Sequence, residues 1–270
     1  MTEQSWTVSD PQTIDVDDVS SLKLGVFRGS FDISPAPDGR THITISDVQG
    51  EPLTVSSSDG HLEIRQQPHG PQGWLRSLMQ TVHTNTANSA VISIQLPATA
   101  DVEAGTVSGT GNITGLQAHV KLNTVSGTLS TAATSGDLHV NTVSGGVTVV
   151  DHDGVLTAKS VSGEVAASGR FTHIRANTVS GNMTFDLLGF TEDFGANSVS
   201  GDLTVLLPAD VGVDLVANSP GGGFVIDNQS YSPAGGKLQT IAGPDARLLL
   251  ARTNSVSGTV TFAHKPASEA

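Results

Sequence analysis

Apolar residues separated by a single polar one recur along nearly the whole chain, as in Ile14/Val16, Leu22/Leu24, Phe31/Ile33, Ile43/Ile45, Leu53/Val55, Leu62/Ile64 and Ile92/Ile94/Leu96. Period-two alternation of this kind predicts half-buried β-strands, with one face in a core and the other in water. From residue 101 onward the alternation falls into columns. Val120, Leu138, Leu156, Ile174 and Phe194 are followed two places later by Leu122, Val140, Ala158, Ala176 and Ala196. A second set, Leu129, Val147, Val165, Met183 and Leu203, is followed by Thr131, Val149, Ala167, Phe185 and Val205. Each repeat therefore carries two strands.

Between the two strands stands Val-Ser-Gly, beginning at Val107, Val125, Val143, Val161 and Val179 at equal intervals, then at Val199 and Val256. A fixed period of about 18 residues is the mark of stacked coils. A degenerate copy, Asn218-Ser219-Pro220-Gly221-Gly222, lies between the last two. At about 3.3 Å per residue such a period is too short for a strand, a crossover helix and a return, but suits two strands and two corners. The predicted fold is all-β: a parallel β-solenoid, a β-helix-like stack of two-strand coils. One coil alone buries too little to fold, so stability must come from its neighbours.

The strand parity changes at Ser-Gly, where the chain must bend, and glycine suits the bend. Before the motif run a column of Asn (Asn123, Asn141, Asn177, Asn197, Asn254) and one of Thr or Ser (Thr106, Thr124, Thr142, Ser160, Thr178, Ser198, Ser255). Both read as hydrogen-bonded ladders at a corner, a structural role that needs no ligand. The Val of the motif has parity opposite to Leu138 and Val140. It is either turned inward by a bulge or left as an exposed apolar stripe, which would make a docking surface.

Residues 1–100 lack the motif and are read as degenerate coils or a cap, since an open terminal coil would offer unpaired strand edges. Residues 101–265 form the regular repeat, with a loop excursion at about 220–243. Residues 66–88 read as a second protruding loop, whose Trp74-Leu75-Arg76-Ser77-Leu78-Met79 is either a short amphipathic element for a membrane surface or partner or, as preferred, a cluster packed locally over the repeats, and 266–270 read as a disordered tail.

A net charge of −13 repels phosphate backbones and anionic headgroups, which argues against nucleic acid as a partner. Cysteine is absent, so disulfide and thiolate chemistry are excluded. The acidic, polar opening Met1-Thr2-Glu3-Gln4-Ser5-Trp6 lacks the pattern of a secretory signal, and no apolar run is long enough to span a bilayer. The expectation is a cytoplasmic protein, membrane-associated only through a partner.

Four constellations imitate chemistry. Gly109-Thr110-Gly111-Asn112-Ile113-Thr114-Gly115 approaches a dinucleotide fingerprint, but no helical pattern follows to meet a pyrophosphate. Gly221-Gly222-Gly223 lacks the Lys-Ser/Thr of a phosphate loop. Asp151-His152-Asp153 could offer metal ligands, yet neighbours in one turn rarely converge, and a solvated turn is the preferred reading. Asp15, Asp17 and Asp18 read as charges guarding a strand edge. No residue is assigned a catalytic, cofactor-binding or metal-ligating role, and no cofactor is expected.

The segment Ile94-Gln95-Leu96-Pro97-Ala98, then Val102-Glu103-Ala104-Gly105-Thr106-Val107-Ser108-Gly109 and the reiterated Asn-Thr-Val-Ser-Gly, resembles the bacterial adhesin-like family of β-strand repeat proteins, domain of unknown function 4097. The likeness covers most of the chain. It implies a β-strand repeat domain linked with cell-envelope stress or membrane-associated signalling, and implies no catalytic residues. The functional expectation is thus a non-enzymatic scaffold or protein-interaction module with a protein partner, and a homo-oligomer is left open. Two alternatives stand beside it: a carbohydrate-binding or polysaccharide-processing β-helix, and an ice-binding array built on exposed Thr, Val and Ser.

Overall fold

The computed structural model describes residues 4–66 and 88–266. Among them are 24 strands and one short 3-10 turn, Ala234–Gly236, so the chain is all-β. It divides into two compact units, Met1–Ser130 and Thr131–Ala270.

In the first unit the strand Ser21–Val26 pairs in parallel with Asp101–Thr106 on one side and with His61–Arg65 on the other. Asp101–Thr106 in turn pairs with Val120–Thr124, Val102 opposite Val120, one motif interval further along the chain. The companion strand Gly29–Pro35 lies between Ser89–Leu96 and Thr110–Thr114, again in parallel. The segment 21–35 is therefore a coil inserted between two others that follow it in sequence. Gln4–Val8, Gln12–Val16, Thr41–Gln49 and Leu53–Ser58 pair antiparallel and close this end.

In the second unit Leu138 stands opposite Leu156, and Val165 opposite Met183, each pair one motif interval apart, while Ile174 opposes Phe194 after a two-residue insertion. The same non-sequential packing recurs. Leu248–Asn254 lies between Asp193–Ser198 and Gly212–Asn218, and Val260–His264 between Leu203–Leu207 and Phe224–Ile226. The corner of Val256 consequently follows that of Val199, and the degenerate copy at 218–222 lies outermost.

The predicted excursion at 220–243 is not a loop throughout. Phe224–Ile226 completes the outermost coil, and Gln229–Tyr231 and Lys237–Ala242 pair antiparallel with its two strands. Its Gly, Ser and Pro content reflects the tight turns between three short strands, including left-handed Asp227 and Asn228. Residues 67–87, including Trp74–Met79, and 267–270 lie outside the described residues.

The predicted apolar columns are buried, from Val120 and Leu122 to Phe194 and Ala196, and from Leu129 to Val205. In the core of the second unit Phe194 stands edge-on to Phe185 and to Phe262, with ring centroids 5.4 and 6.0 Å apart. Edge-to-face contact at this distance is the favoured aromatic arrangement.

Candidate functional site

At each corner the residue before Val and the Gly after Ser both point inward, leaving two successive side chains, Val and Ser, facing out. The inward hydroxyl makes this bend. Thr124, Thr142, Ser160, Thr178 and Ser198 each donate to the carbonyl of the Gly three residues on, at 2.6–3.1 Å. These five hydroxyls thus bond within their own corner, whereas Thr106 Oγ1 donates across to the Phe27 carbonyl of the neighbouring coil at 3.4 Å. The Gly is required by space. A Cβ at Gly163, Gly181 or Gly201 would lie 2.0–2.1 Å from the carbonyl oxygen of the equivalent Gly one coil before, and none of these glycines has a left-handed φ.

The outward Val column forms an apolar ribbon in the second unit: Val161, Val179, Val199 and Val256 are 47%, 48%, 47% and 54% exposed. Each coil adds one branched side chain at about the 4.8 Å spacing of neighbouring strands. The outward Ser is occupied, because Ser162, Ser180, Ser200 and Ser257 direct their hydroxyls to the Val carbonyl of the preceding coil at 3.1–3.4 Å. Beside the ribbon runs the Asn ladder. Asn197 Nδ2 donates to Asn177 Oδ1 at 2.9 Å, and Asn254 Nδ2 to Asn197 Oδ1 at 3.0 Å. The ribbon is therefore a line of methyl groups on a frame whose nearby hydroxyls and amides are already engaged. Burial of Thr142, Ser160, Thr178 and Ser255 removes the Thr/Ser hydroxyls on which an ice-matching array would depend.

The first unit carries an open groove of about 570 Å³ over the outer faces of four parallel strands. Across them run two rows: His61, Ser21, Asp101 and His119, then Glu63, Lys23, Glu103 and Lys121. Lys121 pairs with Glu103 at 2.9 Å and Arg65 with Glu63 at 2.5 Å. Ser21 Oγ and His61 Nδ1 share a hydrogen bond of 2.5 Å. Asp101 lies beside Ser21, on the far side from His61, so it is not placed to orient that imidazole as a relay requires. Sequence columns drawn from residue 101 onward could not bring Lys23 beside Glu103, since the coil holding Lys23 is inserted from earlier in the chain. The available signal was parity alone: Lys23, Glu63, Asp101, Glu103 and Lys121 each sit one place from a buried apolar residue.

Asp15 lies in the strand Gln12–Val16, and Asp17 and the left-handed Asp18 follow it. His42 reaches Asp15 at 2.7 Å and Asp38 at 3.0 Å, and Arg40 reaches Asp17 at 2.8 Å. Hydrogen bonds to Asp15 first and Asp38 second raise the His42 pKa. The backbone amide of Arg40, then His42, lowers that of Asp38.

Asp151-His152-Asp153 is not the solvated turn expected. The strand Val147–Ser160 runs through it with an irregularity between Val149 and His152, where Asp151 is left-handed. The irregularity turns His152 inward, to 2% exposure, while both aspartates face solvent, so the three do not converge. His152 Nδ1 lies 3.0 Å from Thr134 Oγ1, and its ring lies tilted by 33° against Phe171 with centroids 5.8 Å apart. Burial lowers its pKa. Gly109 to Gly115 contains the strand Thr110–Thr114 and no helix, and Gly111 gives room to the Phe31 ring, which a Cβ would meet at 2.1 Å. Gly221 to Gly223 form the turn before Phe224.

Among the described residues no group of three or more His, Asp or Glu is arranged to hold a metal ion, and no helix is long and apolar enough to cross a membrane. The fold is similar to that of a protein of Parabacteroides distasonis ATCC 8503 provisionally named as lipid binding, at 15% identity and TM-score 0.53, covering 95% of this chain and 97% of that one. A protein of Bacteroides fragilis NCTC 9343 provisionally named an adhesin aligns at 12% identity and TM-score 0.43 over 97% of both chains. No curated protein matches the sequence significantly. The Toastrack DUF4097 family profile matches residues 5–204, and with its β-helix-like strands and reiterated Val-Ser-Gly corners the chain belongs to that family.

Proposed function

We propose that the chain is a non-enzymatic β-solenoid scaffold, its coils repeating with the period of the Val-Ser-Gly motif, that presents a rigid apolar ribbon to a protein partner. The setting proposed is bacterial cell-envelope stress or membrane-associated regulation. The observation that carries this reading is the exposure of Val161, Val179, Val199 and Val256 in one line. Covering a half-exposed Val is worth roughly 1 kcal/mol, so four in line can anchor a partner without any reacting group. A net charge of −13 opposes direct contact with anionic lipid, so the proposed cytoplasmic protein would reach a membrane through that partner.

A photo-crosslinking residue at Val179, with a control at exposed Thr148, tests the reading in cells. The expected result is one discrete protein adduct at 179, absent at 148 and lost when Val161, Val199 and Val256 are changed to Ser. Absence of an adduct at every ribbon position overturns it. A second reading, carbohydrate binding, rests on the open groove of the first unit with its His, Asp, Glu and Lys side chains. A polysaccharide panel that neither binds nor gains new reducing ends would remove it.

A further inference from the structure

Lys237–Ala242 is the outermost strand of its sheet in the second unit. It pairs antiparallel with Gly212–Asn218, and no described strand covers its other side. An uncovered edge is a row of backbone donors and acceptors that accepts another extended strand. Proteins usually guard such edges with charge or proline. The sequence Lys-Leu-Gln-Thr-Ile-Ala has no proline and a single charge at one end.

Outward from the same sheet stand Leu250, Val216 and Ile241, which are 45%, 46% and 61% exposed. Leu250 and Ile241 flank Asp214 directly across the strands, and Val216 is the next outward residue along from Asp214. Asp214 is half-buried in this apolar surround, and among the described residues no cation pairs with it. Lys237, the only charge on the edge strand, likewise has no partner there.

We propose that this edge pairs with the same edge of a second copy of the chain, antiparallel about a two-fold axis at Gln239. Opposite residues in an antiparallel pair share a face, so this register sets Gln239 against the second copy's Gln239 and Lys237 against its Ile241. The Lys237 stem then covers the most exposed of the apolar residues, and its ammonium extends toward the second copy's Asp214. The contact is self-complementary: the cation of the edge meets the carboxylate of the patch, twice. This charge match favours a second copy over a foreign strand. Six residues at about 3.4 Å each give a contact about 20 Å long, and at roughly 10 Å wide it covers about 200 Å² per partner, well short of the ~800 Å² of a standard stable interface, so the dimer is concentration-dependent. The Val ribbon plays no part in it, so the proposal stands or falls apart from the proposed function.

The full chain lacks cysteine, which makes the test direct. Cα atoms opposite each other in an antiparallel pair lie about 4.5 or 5.5 Å apart, within disulfide range. Gln239→Cys should therefore give a disulfide-linked dimer on mild oxidation, whereas the exposed control Arg252→Cys should not. In sedimentation velocity the wild type should form a reversible dimer. Lys237→Glu and Asp214→Lys should each weaken it at least fivefold, and the double exchange should restore it, with far-UV circular dichroism unchanged throughout. A wild type that stays monomeric, a dimer that Gln239→Cys fails to trap, or an exchange that restores nothing overturns the proposal. Gln239→Cys adducts formed only with other proteins would assign the edge to a foreign strand and overturn it equally.

Discussion

Thr178 Oγ1 donates to the carbonyl of Gly181 at 3.0 Å and accepts from the amide of the same residue at 2.9 Å. One buried hydroxyl thus satisfies both backbone groups of the glycine that ends the corner. Replacing it with an isosteric methyl leaves a buried donor and acceptor without partners, a loss of about 1–3 kcal/mol. Thr178→Val should lower stability by that amount in urea unfolding, while Thr178→Ser, which keeps the hydroxyl, should cost much less. Equal losses would mean that packing, not the hydrogen bonds, holds the corner.

The glycines of the repeat divide by space. A Cβ at Gly181 would lie 2.0 Å from the Gly163 carbonyl oxygen, a backbone atom that cannot move aside. Gly146, one residue past a corner, has nothing within 4 Å of the equivalent position. Gly181→Ala should therefore be strongly destabilising, by at least about 2 kcal/mol as overpacking against backbone requires. Gly146→Ala should be neutral or stabilising by up to about 1 kcal/mol through loss of unfolded-state freedom. Thermal melts of the two variants give the comparison.

These corners also mark how much of the fold was legible in the sequence. Period-two columns and the recurrent tripeptide are local, so strands, inward faces and the position of each bend could be read directly. Which coil lies beside which could not. Backbone hydrogen bonds between coils are the same for any pair of apolar strands, so nothing in Leu22-Lys23-Leu24 states that Ala104 will be its neighbour, or in Leu249-Leu250-Ala251 that Phe194 will be. The groove was hidden for that reason, and the Val column stayed ambiguous because parity cannot distinguish a bulge inward from two outward residues at a bend. The glycines were assigned a conformational role when close approach across the stack is what demands them.

His152 gives the second unit a pH dependence. Its ring is buried against Phe171 with Thr134 at Nδ1, and burial, the largest effect, lowers its pKa, opposed by backbone groups of Val155 and Gly136 and by the carboxylate of Asp153. The folded state therefore binds the proton less well than the unfolded chain, whose imidazole titrates near 6.5. Stability from this group is complete above about pH 6.5 and is lost as pH falls below it toward the lowered folded value. His152→Phe, which retains a ring beside Phe171, should flatten the stability profile between about pH 7 and 5 as measured by urea midpoints. An unchanged slope would place the acid sensitivity elsewhere.

His42 works in the opposite sense. It stands between Asp15 of the neighbouring strand and Asp38 of the preceding turn, with the Arg40–Asp17 pair alongside and Gln95 across on the other strand. Hydrogen bonds to the two carboxylates raise its pKa, so the folded state holds the proton more tightly than the unfolded chain does. This clasp is at full strength below the unfolded value near 6.5 and weakens as pH rises through the raised folded value. Because the groups are exposed, the readout is the titration itself. In a proton NMR titration Asp15→Asn and Asp38→Asn should each lower the His42 pKa, and the double variant should bring it close to the ordinary value. Salt should narrow these differences, as screening of exposed pairs demands. If neither carboxamide moves the titration, the Asp15–His42–Asp38 bridge does not form in solution, and Gln12–Val16 is held to Thr41–Gln49 by its backbone ladder and by Ile14 and Val16 alone.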